Sequence, residues 1–189
     1  VDSTLRSEPI AYLINPNTQK SVEIYGIAGI DPANESLYTP IDELIENGAY
    51  LDENKTDEIL ISASLAASLN IGVDEDVSLY ISPSIVRNLT SSFTVKGLLN
   101  DEEYNGLIDL DGQPFGPLRL LSDGTLRVCN STEVVVMNWQ AFVSLQDEAN
   151  ILMGGNAPQF TMLSKIVFEP ADWNELQSII NTLVLYVFN

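Results

Sequence analysis

Glu58-Ile59-Leu60-Ile61-Ser62-Ala63-Ser64-Leu65-Ala66-Ala67-Ser68-Leu69-Asn70-Ile71-Gly72 decides the fold class. Ile59–Ile61 is a short apolar run of buried-strand type. Ser62 follows at once, and a serine there can accept a hydrogen bond from a backbone N–H two or three residues on and open a helix. Leu65, Ala66 and Leu69 then form one apolar stripe at helical spacing, and Gly72 ends it. A strand that turns straight into an amphipathic helix belongs to a sheet layered with helices.

Toward the N-terminus the reading is of strands. Pro9–Ile14 and Val22–Ile30 are apolar runs with β-branched and aromatic residues, and residues 15–20 between them carry turn chemistry. Asp31-Pro32-Ala33-Asn34 breaks the second run. Thr39 as N-cap, Pro40 at the first helical position and Asp42 three residues after the cap predict a short helix, with Ile41, Leu44 and Ile45 inward and Gly48 as its stop. Toward the C-terminus, Val77–Ile81 and Phe93–Leu99 read as strands joined by a polar loop over Ser82–Ser92. Residues 100–132 change character: Gly106, Gly112, Pro114, Gly116, Pro117 and Gly124 leave only short apolar runs. Regularity returns with a strand over Glu133–Met137 and a helix from an Asn138 cap through Leu145. A loop over Asn150–Gln159, a strand over Met162–Phe168 and a helix over Pro170–Leu183 complete the pattern. The expectation is an α+β (mixed α/β) fold: a mixed sheet with helices packed on one face. Residues 1–189 form one domain, with a core of residues 9–99 plus 133–183 and a small loop-rich inserted subdomain, residues 100–132, standing away from it.

The charge balance excludes one partner class. Eight Lys+Arg stand against 27 Asp+Glu, a formal net charge of -19, so no basic stripe exists to displace counterions from nucleic acid. Histidine is absent, which removes the commonest general base and transition-metal ligand together. The single cysteine, Cys129, permits no intrachain disulfide. It lies in a strand-like stretch and reads as a buried, inert thiol. Gly154-Gly155 lacks the Lys-Ser/Thr of a phosphate loop. No run reaches the length of a membrane span. The chain opens on Val1 and ends on the apolar run Leu183–Phe188, so a piece of a longer protein is expected.

The acidic stretch Asp101-Glu102-Glu103, with Asp109 and Asp111-Gly112 nearby, is the sharpest chemical candidate. Calcium takes six to eight oxygens, but only Asp109-Leu110-Asp111-Gly112 echoes a calcium loop. The plainer reading is a solvated loop with ordinary carboxylates, and no metal site is assigned. Two carboxylates could also serve a glycosidase, yet a chain this acidic always offers some pair. Phe115, Leu118, Leu120 and Leu121 are the candidate partner-binding residues of the insertion, the plainer reading being a small satellite core. Asn34, Asn54, Asn88 and Asn130 each open an Asn-Xaa-Ser/Thr tripeptide and are candidate glycosylation sites. With 16 Asn and 27 Ser+Thr in the chain, random order gives about two such tripeptides, so four is a small excess.

From Gly26 onward the chain resembles the MacB-like periplasmic domain of FtsX-type ABC-transporter permeases. The matching stretches are Ile27-Ala28-Gly29-Ile30-Asp31-Pro32, Asn47-Gly48-Ala49-Tyr50-Leu51, Glu58–Gly72 and Phe93-Thr94-Val95-Lys96-Gly97-Leu98-Leu99, in the family's order. Ala49 stands where the family has arginine, and Glu75-Asp76 where it has Gly-Asp. The resemblance implies an extracytoplasmic domain between the first two transmembrane helices of the same permease. It implies no catalysis and no cofactor. ATP hydrolysis by a separate cytoplasmic ATPase subunit would move the domain, and an extracellular protein or exported substrate would engage it. The alternative is a free-standing cell-surface binding or adhesion module, which would lack flanking membrane spans and a neighbouring ATPase gene.

Overall fold

The computed structural model describes residues 9–84, 87–109 and 112–152. The fold is α+β, built on a mixed sheet. In chain order the strands are β1 (Ala11–Ile14), β2 (Ser21–Ile24), β3 (Gly26–Ile30), β4 (Ile45–Gly48), β5 (Glu58–Ser62), β6 (Asp76–Ser84), β7 (Arg87–Leu99), β8 (Leu118–Leu120), β9 (Leu126–Val128) and β10 (Val134–Asn138). The helices are α1 (Ala63–Leu69), α2 (Asp101–Asn105) and α3 (Trp139–Leu152).

The large sheet runs β2-β1-β6-β7-β5-β10-β3, with β4 on the end of β7. β5 pairs parallel with β7, and β10 parallel with β3, while the remaining pairings are antiparallel. β2 and β3 stand at opposite ends of that order, yet only Tyr25 separates them. Seven flat strands would place those edges roughly 29 Å apart, and two residues of chain span about 7 Å. The sheet must therefore curl until its edges meet at Tyr25, whose N–H donates to the Glu133 carbonyl at 2.9 Å.

One residue sets which side chains face which core. A register shift leaves Lys96 as an extra residue in β7: Ile59 lies opposite Val95, but Leu60 lies opposite Gly97. Phe93 and Val95 face one side, and the bulge turns Leu99 to the other. β5 and β10 are buried along their whole length, so their residues divide between two cores. Ile59, Ile61, Val135 and Met137 pack beneath α1 and α3. Leu60, Val134 and Val136 join Ile41, Leu44, Tyr104, Leu107 and Cys129 on the other side. Burying each such aliphatic side chain contributes roughly 1.5–3 kcal/mol. α1 starts where Ser62 Oγ accepts from Leu65 N at 3.2 Å, and α3 where Asn138 Oδ1 accepts from Gln140 N at 2.9 Å.

Several expectations are corrected. The helix expected after Thr39 is a short 3-10 turn, Ile41–Leu44, with no side-chain cap; the Thr39 hydroxyl turns back to Glu35 Oε1 at 2.5 Å. Ile45–Gly48 then becomes β4, and Gly48, with φ +89°, approaches the Lys96 carbonyl. The left-handed residue ending α1 is Asn70, φ 56°, rather than Gly72. The polar loop expected over Ser82–Ser92 is largely strand, because Thr and Ser alternating with Leu89 and Phe93 suit a half-exposed ladder. α3 continues to Leu152, past the start of the loop expected from Asn150, since Ala141, Leu145 and Ala149 extend one buried stripe. No described residue of 100–132 enters the large sheet, but the segment does not stand away from the body. Tyr104, Leu107 and Cys129 are buried in the second core. The strand and helix expected over 162–168 and 170–183 lie outside the described residues.

Candidate functional site

The β8–β9 hairpin is the part of the insertion with two distinct faces. Leu118 lies opposite Val128, Arg119 opposite Arg127 and Leu120 opposite Leu126. Side chains alternate along a strand, so leucines share one face and arginines the other. The arginine face meets the body. Both guanidinium groups bond Glu133 Oε1, Arg127 at 2.6 Å, and Arg119 lies over the Tyr25 ring, 3.5 Å from its centroid. Glu133 Oε2 accepts from Asn130 N at 2.9 Å. Burial alone would raise the Glu133 carboxyl, but the Arg127 bond, the Asn130 amide and the two positive charges outweigh it and hold it below the usual range. Arg127 is raised in turn by its bond to Glu133.

The leucine face looks outward. Leu118 is 38% exposed and Leu126 51%, with Leu120 half-buried between them. Of the four apolar candidates, only Leu118 and Leu120 lie on this face. Phe115 instead packs edge-on against Tyr104, ring centroids 6.1 Å apart, at the margin of the second core. Leu121 is half-buried in the hairpin turn, where its N–H donates to Thr125 O. Leu126 was not among the candidates. Its signal is alternation across the hairpin, readable only once Asp123-Gly124 is taken as the turn.

A second clamped carboxylate, this one buried, opens β5, the antiparallel neighbour of β10. Glu58 Oε1 meets Lys55 Nζ at 3.0 Å and Lys96 Nζ at 3.2 Å, and Oε2 accepts from Asp52 N at 3.1 Å. Here too burial is the largest single influence and acts upward, and the amide and lysine bonds together carry the carboxyl below its usual range. The bulge that inserts Lys96 into β7 thus also supplies a counter-charge.

The acidic stretch is not the solvated loop expected. Asn100 Oδ1 accepts from Glu102 N and Glu103 N and starts α2. Asp101 accepts from Ser131 Oγ at 2.6 Å and from Ser64 N at 3.0 Å, tying the insertion to the start of α1. Its carboxyl is not ordinary: burial pushes it up, but bonds from Ser131, Ser64 and Ser62 bring it below the usual range. Among the described residues no group of three or more His, Cys, Asp or Glu side chains gathers as a metal site. Asp111 lies outside them. Cys129 is buried, and desolvation, then the Glu133 charge, pushes its thiol up to about 11. Glu58, Asp101 and Glu133 all shift downward, which suits anchors. A general acid working near neutrality needs the opposite shift. An open hollow at the end of α1, lined by Ala66, Asn70, Gly72 and Glu75, brings no second titratable group beside Glu75.

The four Asn-Xaa-Ser/Thr asparagines are all exposed. Asn34 leads into the 3-10 turn Glu35–Leu37, Asn88 lies in β7 and Asn130 caps the 3-10 turn Ser131–Glu133. Asn54 lies in the loop before β5. No helix among the described residues is long and apolar enough to cross a membrane. No family model matches the chain, and no curated protein matches it either.

Proposed function

We propose that the chain is the extracytoplasmic domain of an ABC-transporter permease, membrane-anchored through transmembrane helices of the same polypeptide. It couples ATP hydrolysis by a separate cytoplasmic ATPase subunit to handling of a substrate or partner outside the membrane. The reading rests on the resemblance, and one observation supports it. The four resembling stretches, distant in sequence, are joined in space: β4 and β5 both pair with the end of β7, and β10 joins β5 to β3.

Three of their four glycines, Gly29, Gly48 and Gly97, are contact residues, while Gly72 has open space around it. A side chain on Gly29 would meet Trp139 and Phe142 of α3, and one on Gly97 would meet the Ala49 carbonyl at 2.5 Å. A motif made of close approaches specifies a frame, and a frame that moves as one body can pass displacement between a membrane and an outer partner. The exposed leucine face of the β8–β9 hairpin is the surface offered to an extracellular protein or exported substrate.

Purification of the full-length protein from its native membranes in mild detergent tests the proposal. A nucleotide-hydrolysing subunit should co-purify in fixed ratio. Recovery from the soluble fraction would favour the free-standing cell-surface module. Recovery from membranes without any ATPase would also refute the permease assignment.

A further inference from the structure

The geometry points to Asn54 as the acceptor of an N-linked glycan on the folded protein. The inference rests on the extracytoplasmic placement proposed above. In the modification, Asn54 Nδ2 forms a bond to the anomeric carbon of a lipid-phosphate-activated oligosaccharide. The sugar–phosphate bond breaks, the lipid phosphate departs, and the proton lost from Nδ2 leaves with it. The acceptor tripeptide must lie against the transferase, so any backbone bonds it makes within a helix or sheet must first be given up.

Three of the four tripeptides are held in that way. Asn88-Leu89-Thr90 is in the β6–β7 ladder, with Leu89 opposite Ile81 and Thr90 opposite Tyr80. Asn34-Glu35-Ser36 runs into a 3-10 turn, and Glu35 is gripped by the Thr39 hydroxyl and amide. Asn130-Ser131-Thr132 is held most firmly. Asn130 and Glu133 cap each other's backbone, and buried Ser131 bonds both Asn105 and Asp101.

Asn54-Lys55-Thr56 lies outside every helix and strand, within residues 52–57, all exposed. The loop is anchored from beneath: Asn138 Nδ2 donates to the carbonyls of Glu53 and Lys55 at 3.2 and 3.1 Å. The Asn54 side-chain amide makes only long contacts, 3.3 Å to Glu53 Oε1 and 3.5 Å to Asp52 Oδ1, while the backbone N–H groups of Asn54 and Lys55 bond Asp52, at 2.9 Å to its Oδ1 and 3.1 Å to its carbonyl, within the loop itself. A firmly seated loop with a loosely engaged acceptor is the arrangement a transferase can use without unfolding its target.

The test is glycopeptide mass spectrometry on full-length protein from native membranes, alongside labelling of Lys20 in intact cells with a membrane-impermeant amine reagent. A glycan on the Asn54 peptide, with the Asn130 peptide unmodified, is the expected result. Asn54→Gln and Thr56→Ala should each abolish it and leave the melting temperature within a few degrees. Bare Asn54 in a chain whose Lys20 is labelled from outside overturns the inference while leaving the placement intact. A chain that the reagent does not reach removes the placement and the inference together. Occupancy at Asn130 equal to that at Asn54 also overturns it, because loop geometry would then not govern selection.

Discussion

Glu58, which is buried, and Glu133, which is half-buried, are both carboxylates held by two cations, but Glu58 is held by lysines and Glu133 by arginines. The Lys55 side chain is 53% exposed and Lys96 26%; on the other carboxylate Arg127 is 33% exposed, and Arg119, at 14%, is the one cation of the four shut away from water. If Glu58 is lost, the ammonium groups can turn to water. If Glu133 is lost, Arg119 stays beneath the hairpin, over Tyr25, without its counter-charge. The same formal motif is therefore a stitch within one sheet in the first case and the fastening of a separate two-stranded sheet in the second. The cost of cutting it should follow the access of the cations to water more than the number of bonds.

The largest effect should come from Glu133→Ala. Arg119 is only partly buried, so leaving it uncompensated should cost somewhat less than the roughly 3–5 kcal/mol of a fully buried pair, and urea unfolding should register it. Residues 118–128 should at the same time lose hydrogen-exchange protection ahead of β5 and β10. Uniform loss of protection would break the distinction between fastening and stitch. Glu58→Ala should cost less, about 1–3 kcal/mol, with no selective loosening of the hairpin. A Glu58 variant less stable than the Glu133 variant would reverse the comparison.

Titration sharpens it further. Glu58, Asp101 and Glu133 all have folded-state carboxyls lowered from their ordinary values. Such a group contributes stability that is complete above its unfolded pKa, near 4. That contribution disappears as pH falls through the lower folded value. Opposing this, protonating the carboxylate excess behind the net charge of -19 relieves self-repulsion. Urea midpoints should rise on mild acidification from pH 7 and fall below about pH 4. In Glu133→Ala the low-pH fall should be shallower. An unchanged acid limb in that variant would show that the clamp does not carry it.

The smallest effect concerns Tyr104. Its ring is buried against Phe115, and its hydroxyl has no hydrogen-bond partner among the described residues. Tyr104→Phe removes an unsatisfied polar atom and keeps the packing, so stability should rise by up to about 1 kcal/mol. A loss of stability would mean that the hydroxyl has a role which the second core conceals.

The legible parts of this fold were those written in local chemistry. Ser62 and Asn138 announce helices because a cap is decided within a few residues, and the apolar runs of β5 and β10 announce burial directly. Asn100 carried the same kind of signal for α2, but it was lost in a stretch dominated by glycine, proline and acid. What could not be read was relational. Nothing in Val22–Ile30 says that one apolar run serves both edges of a sheet, with Tyr25 as the corner. Glu58 and Glu133 look like ordinary surface acids until Lys96 and Arg119 arrive from other strands. Among the site candidates, Leu118 and Leu120 were found by composition. Leu126 needed the hairpin register, and Phe115 and Leu121 fell elsewhere for the same reason.

The corner at Tyr25 also bears on the time course of folding. The β3–β10 ladder joins residues 26–30 to residues 134–138, so it cannot form until nearly all the described chain has been gathered between them. Loop-closure entropy is spent before that contact is made, so this ladder should be among the last to form. The β6–β7 hairpin and the β5–α1 unit can form early from near neighbours. A nascent chain lacking β10 would hold β3 as an unpaired edge, and that edge is the point at which a helper or a misfolded neighbour would first take hold.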